Sequence, residues 1–342
     1  MRVAWVVLVA SVACGHEHID PAHNYAFVTS TQFDPLTFGA DLSGADAICN
    51  QAAANAGLGG GFVAYLSRAA AAAPTRLAGA RGWVRVDGEP FVDRVDELSA
   101  GQLFYPLRID EHGDDVGDSA GPIATATTNN GNGDRDCVEW TSASDEYVAG
   151  QAALTIDGWA DDGASTCGMP ARLYCFGTRY DSPLTVTPTT GRRAFVTVQA
   201  FQVGSGLAGA DALCANEAAL AGLSGTFLAL LPTSTATAAS RFDASGPTWV
   251  RVDGVRLADS PLAFFAEDLA ASPSVTAIGT QSDVEVLTGG QPTQPPGDGT
   301  CKDWTDATVA SASGGRSNAA SGAAFANGGG TCTTASIYCL ER

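Results

Sequence analysis

The chain has one lysine, Lys302, four histidines and no Cys-x2-Cys pair. A single lysine leaves Schiff-base or lysine-nucleophile chemistry one place to occur. Three of the four histidines, His16, His18 and His23, stand together near the start, so His112 is the only base of that kind elsewhere. Without closely paired cysteines, a zinc reading of the cysteines lacks its usual ligand spacing. Positive charge is scarce: 18 Lys and Arg stand against 37 Asp and Glu, a formal net charge of −19. Such a surface repels nucleic acid and heparin-type polysaccharide. Beyond residue 12 no run is apolar enough to supply the about 20 residues that span a bilayer.

What is present begins with an address. Met1-Arg2 and the apolar run Val3 to Val12 read as a secretory signal over residues 1–13. Cys14 follows Ser11-Val12-Ala13, where lipoprotein processing would make it the acylated first residue. Nine cysteines are an odd number, and eight fall into two matched sets of four, which leaves Cys14 for lipidation. Residues 14–24 would then be a tether. The expected location is the outer membrane or cell surface as a lipoprotein, with a periplasmic or secreted protein as the alternative.

The rest of the chain is written twice. Gly44-Ala45-Asp46 to Leu58 corresponds to Gly209-Ala210-Asp211 to Leu223, and Trp83 to Gly88 corresponds to Trp249 to Gly254. Cys137 to Thr141 matches Cys301 to Thr305, and Leu173 to Cys175 matches Ile337 to Cys339. Corresponding positions stay about 165 residues apart, an ordinary domain size. Ala45, Ile48, Cys49, Ala52 and Ala56 fall on one face of a helix. Ser43 stands as its N-cap, and Gly57 and Gly222 close the two copies as left-handed C′ residues. Phe62 to Leu66 and Phe227 to Leu231 read as strands. This gives domains over 25–177 and 194–342, joined by a short stiff linker over 178–193 that carries Pro183 and Pro188.

Each copy holds four cysteines: Cys49, Cys137, Cys167 and Cys175, then Cys214, Cys301, Cys332 and Cys339. Spacing leaves three connectivities open in each. The first and last of each set sit in apolar contexts and the middle two in polar loops, so a nested pattern pairs buried with buried.

A G-A-D-x-x-C helix, the Ala221-Gly-Leu-Ser-Gly-Thr-Phe227 stretch, the Cys-x-x-Trp segment and the terminal x-Tyr-Cys strand resemble the endostatin module of collagens XV and XVIII, and uncharacterised bacterial secreted domains with the same pattern. The first copy departs from it at Gly59-Gly-Gly61 and Ile123 to Ala126. The resemblance covers nearly the whole mature chain. It implies an α+β fold of two tandem C-type-lectin-like, endostatin-like domains, each stapled by two nested disulfides: Cys49 to Cys175 around Cys137 to Cys167, and Cys214 to Cys339 around Cys301 to Cys332. It does not transfer function. The arginine patches behind endostatin's glycan binding have no matching clusters here.

His16, His18 and His23 could supply imidazoles to zinc or copper, with Glu17 or Asp20 as a carboxylate ligand, and the resemblance implies an N-terminal zinc site. The bland alternative is a solvated tether. Calcium would need hard oxygens such as those of Asn129 to Asp136 or Asp298, but Asp and Asn in Gly-rich loops are mostly turn formers. The lectin-type Glu-Pro-Asn signature is missing. Asp161 and Asp162 read as a solvated loop, and Trp83, Trp140, Trp249 and Trp304 as core. The resulting expectation is an exported binding or adhesion protein of the cell surface, not an enzyme, whose partner is an extracellular protein or glycan. The alternatives are a secreted hydrolase using His112, Asp134 or Asp136, and a purely structural envelope protein.

Overall fold

The computed structural model describes residues 23–118, 120–128, 135–294 and 299–342. It is a mixed α+β chain. The first half contributes β1 (Asn24–Val28), β2 (Phe62–Ala64), β3 (Trp83–Arg85), β4 (Pro90–Val92), β5 (Ile123–Ala124), β6 (Glu146–Gly150), β7 (Ala164–Thr166) and β8 (Arg172–Gly177). These form one sheet in the order β4-β3-β1-β8-β5-β6-β7, with β2 also paired to β8. The second half contributes β9 (Arg192–Val196), β10 (Phe201–Gln202), β11 (Phe227–Ala229), β12 (Trp249–Arg251), β13 (Glu285–Leu287), β14 (Ala312–Arg316), β15 (Gly329–Gly330), β16 (Thr334–Ala335) and β17 (Tyr338–Glu341). Here the strands separate into β11-β17-β9-β12, β13-β14-β15 and β10-β16. The order β2-β8-β1-β3 recurs as β11-β17-β9-β12, including the parallel β1/β3 and β9/β12 pairs.

The repeated helices are Ser43–Asn55 and Gly206–Leu220. Gly57 and Gly222 follow them at φ 74° and 71°, as the C′ role requires. Ser43 is not the N-cap. It is the first helical residue, and its amide and hydroxyl both donate to Asp41. The aspartate of each G-A-D motif fixes helix to strand. Asp46 accepts from the Ala64 amide at 2.9 Å and pairs with Arg76 at 2.6 Å; Asp211 accepts from Ala229 at 3.0 Å and pairs with Arg241 at 2.6 Å.

The bridges are Cys49–Cys175, Cys137–Cys167, Cys214–Cys339 and Cys301–Cys332, nested in both halves. The contrast between buried outer and polar inner cysteines does not hold: all eight are fully buried. The inner pairs are drawn inside because each belongs to a turn that carries a core tryptophan.

Those turns have an unusual hand. Cys137, Val138, Glu139 and Trp140 have φ of 57°, 52°, 53° and 61°, and Cys301, Lys302, Asp303 and Trp304 have 50°, 50°, 55° and 66°. Each is one turn of left-handed helix built without glycine, which costs roughly 1–2 kcal/mol per residue. The surroundings hold it. A disulfide fixes the first residue, and the indole of the last is buried and donates from Nε1, Trp140 to the Ser67 carbonyl at 3.1 Å and Trp304 to that of Pro232 at 2.8 Å. Trp83 and Trp249 are also fully buried and donate to Gly177 and Glu341 carbonyls. Truncating any of these four indoles should cost on the order of 3–5 kcal/mol.

The segment between the halves is laid onto both of them. Arg179 and Tyr180 amides donate to Asn24, Leu184 donates to Asp93 at 2.7 Å, and Thr189 donates to the Gly254 carbonyl. Asn24 belongs to β1 and Arg192 and Arg193 to β9, so the tether and the linker are each shorter than their sequence boundaries at those ends.

The two halves pack directly on one another. Leu154 and Ala319, 165 positions apart and therefore equivalent, face each other in an antiparallel bridge. The Thr155 amide donates to Asn318 at 2.9 Å and that of Ala320 to Ala153 at 2.8 Å. Equivalent backbone meeting itself in antiparallel sense marks a local two-fold axis, as in an isologous dimer. Around it the contacts are not symmetric. The fully buried Arg251 guanidinium and Gln281 Nε2 all converge on the Leu103 carbonyl. Tyr105 and Leu154 sit inside the apolar core of the second half, and Arg256 pairs with Glu89 at 2.8 Å.

Candidate functional site: paired grooves across the seam

The β5-β6-β7 end of the first sheet and the small sheet β13-β14-β15 each carry a groove. The first, of about 370 Å³, is lined by Asp118, Pro122, Gln151, Asp162 and Ser165 among others. The second, of about 100 Å³, is lined by Glu285, Gly314, Arg316, Asn327 and Thr331 among others. They are the same groove twice, since Gln151 and Arg316, Asp162 and Asn327, and Ser165 and Gly330 are each 165 positions apart. One glycine per copy makes the fold possible beneath. A Cβ on Gly150 would lie 1.9 Å from the Trp159 carbonyl oxygen, and one on Gly315 would lie 1.9 Å from that of Ala324.

The grooves meet. Asp162, a wall of the first, receives a bond from Gln151 Nε2 and pairs with Arg316, a wall of the second, at 2.8 Å across the seam. Burial raises the pKa of the neighbouring Asp161 above its ordinary value, and the charges of Asp157 and Asp162 add to this. Carboxylates, amides, hydroxyls and bare glycine backbone make up the polar half of the lining, and Arg316 is already neutralised by Asp162. Such a surface suits polar neutral or cationic groups and disfavours anions.

The other sequence candidates fall elsewhere. His112 is half exposed, with Nε2 3.7 Å from Glu111 Oε1. Glu111 is buried and accepts from Ser30 through its amide at 2.8 Å and its hydroxyl at 2.5 Å. The serine therefore donates to the carboxylate, whereas a catalytic triad needs the histidine between the two. Glu111 has a structural counterpart in Glu217, which accepts from the Val198 and Gln199 amides just past β9. Both carboxylates close the end of a central strand. Asp136 caps the left-handed turn, accepting from Glu139 and Ala69 amides. The four repeated tryptophans are core.

Cys14, His16, Glu17, His18, Asp20, Asn129 to Asp134 and Asp298 lie outside the described residues. His23 is half-buried beside Gly82, and its Nδ1 has no hydrogen-bond partner among the described residues. Among those residues no group of three or more His, Cys, Asp or Glu is placed to hold a metal ion, and no helix is long and apolar enough to cross a membrane. Four disulfides fit an oxidising compartment. Sequence reading missed the grooves and took Asp161-Asp162 for a solvated loop. The signal that could have found them is Gly150 and Gly315, glycines at equivalent points of two strands. No protein-family model matches the chain, and no curated protein matches it.

Proposed function

We propose that the chain is an exported, lipid-anchored binding or adhesion protein of the cell surface, made of two endostatin-like, C-type-lectin-like domains that present one composite binding surface. The observation that carries the reading is the groove that occurs in both halves, its two copies tied wall to wall by the Asp162–Arg316 pair. A disulfide-stapled scaffold offering two clefts at equivalent repeat positions suits recognition of an extended ligand, because two linked subsites multiply their affinities. A hydrolase built on His112 is the weaker reading, since Ser30 is committed to Glu111.

An array of extracellular-matrix proteins and glycans, probed with the mature protein, tests this. Ligands captured by the native chain and lost with Asp162→Ala support it. Capture that ignores Asp162, or turnover in a substrate screen that disappears with His112→Ala, refutes it. Partition into detergent, abolished by Cys14→Ser, tests the anchor.

A further inference from the structure

The sheet of the first half ends on β7, which among the described residues pairs with β6 alone. Tyr147 stands opposite Ser165, Ala149 donates to the Gly163 carbonyl at 2.8 Å, and Cys167 donates to that of Asp145 at 2.9 Å. In an antiparallel ladder this alternation turns Gly163, Ser165 and Cys167 toward β6. It leaves the Ala164 amide and carbonyl and the Thr166 amide pointing outward. Natural edges are guarded by short strand length, which β7 has at three residues, or by lysine, proline, inward charges or bulges. Gly163-Ala164-Ser165-Thr166 carries no side chain that would block an added strand and is mostly exposed, and the equivalent Gly328-Gly329-Gly330-Thr331 carries none either.

We propose that β7 takes an extended, basic peptide segment of a partner protein as an added strand; this rests on the binding-module reading and specifies its ligand. Charge selects the occupant. Asp162 precedes the edge, Glu146 lies directly opposite Thr166, Asp145 adjoins it, and Asp118 lines the groove that reaches β7. The arginines nearby, Arg135 and Arg316, are held by Glu146 at 3.7 Å and Asp162 at 2.8 Å. A second copy of this chain is the wrong occupant, because edge-to-edge pairing would bring together two chains of net charge −19. In an added strand successive side chains alternate faces, so lysine or arginine at every second position enters a field in which Asp118, Asp145, Glu146 and Asp162 outnumber Arg135 and Arg316, while main-chain bonds supply the register.

The probe is a labelled, blocked hexapeptide of alternating lysine and valine, titrated into the mature protein at low ionic strength and followed by fluorescence anisotropy. The native chain should bind it. Glu146→Lys should weaken binding about tenfold, and the acidic glutamate–valine counterpart should not bind. Methylating the peptide's alternate backbone nitrogens should abolish binding, a control that leaves the protein's fold untouched. Amide exchange should slow at Ala164 and Thr166, and Ala164→Pro should remove binding while the thermal midpoint stays within a few degrees. No binding, equal binding of the methylated or acidic peptide, or dimers formed through β7 without peptide would each overturn the proposal. Array ligands retained by Ala164→Pro would overturn strand addition while leaving the binding-module reading in place.

Discussion

Replacing Val138 by glycine should make the protein more stable. Val138 is a β-branched residue at φ 52°, ψ 63°, in the middle of a left-handed turn, and its side chain is 58% exposed. Removing it forfeits little packing and relieves a backbone penalty of roughly 1–2 kcal/mol. The glycine gives back about 0.5–1 kcal/mol through the added freedom of the unfolded chain. The balance is a gain of about 0.5–1 kcal/mol, worth about 1–4 °C in a unit of this size. Neighbouring positions should rank by what their side chains do. Glu139→Gly gains slightly less, since it gives up a 3.9 Å contact with Arg68. Lys302→Gly loses its exposed pair with Asp306. Asp303→Gly should destabilise, because Asp303 accepts from both the amide and the hydroxyl of Ser234. Val148→Gly, buried in the extended backbone of β6, should cost about 2–4 kcal/mol. Urea unfolding with the disulfides intact reads the series, provided m stays constant. If Val138→Gly lowers the midpoint as Val148→Gly does, the turn is not left-handed and the reasoning fails.

Removing the outer bridge with Cys49→Ala and Cys175→Ala should cost about 4–5 kcal/mol in denaturant midpoint analysis, from the long loop it closes; the 30-residue inner loop predicts about 3.5–4 kcal/mol, partly offset by relaxation of the strained turn. Gly150→Ala and Gly315→Ala should each lose at least about 1–3 kcal/mol, since the new methyl meets a backbone oxygen that a rotamer change cannot move; a neutral result would show that the close approach is absent. Burial works against the charge of Asp93, but the Arg81 guanidinium and the Leu184 amide outweigh it and hold the carboxyl below its ordinary value. A depressed carboxylate stabilises above its unfolded pKa near 4, and that stabilisation is lost as pH falls through the lower folded value. Asp93→Asn should therefore lower stability at neutral pH and flatten its decline in acid, measured as thermal midpoint against pH.

The elements and their duplication were legible because local chemistry writes them directly. Alanine and cysteine at helical spacing between an aspartate and a glycine specify Ser43–Asn55 whatever surrounds it, and the strand after it follows from Phe62. The left-handed turns were not legible. Cys-Val-Glu-Trp and Cys-Lys-Asp-Trp carry no glycine or asparagine to announce positive φ, and the conformation is imposed by a disulfide at one end and a buried indole at the other. The seam was hidden for a similar reason. Arg251 and Arg85 occupy the same repeat position and each pairs with the aspartate two residues on, yet one indole-strand arginine reaches Leu103 in the other half and the other reaches Pro106 in its own. A pattern of residue types records that the halves are alike and not how they sit together. The grooves followed the seam out of view, since Asp162 acquires its role from an arginine 154 positions away.

The two-fold seam centred on Leu154 and Ala319 also frees the protein from a constraint that binds every true homodimer. A dimer of identical chains falls apart when diluted. It must also tolerate each surface residue opposite its own copy, so a charge at the axis meets the same charge. A covalent pair has neither problem. Its halves stay at a fixed high effective concentration however few molecules are present, and each side of the contact can mutate alone. Asp162 could acquire Arg316 as a partner while the counterparts of the two became Asn327 and Gln151. Duplication thus turned a symmetric contact into a directional one, with a wide, acidic cleft on one side and a narrow, glycine-floored cleft on the other.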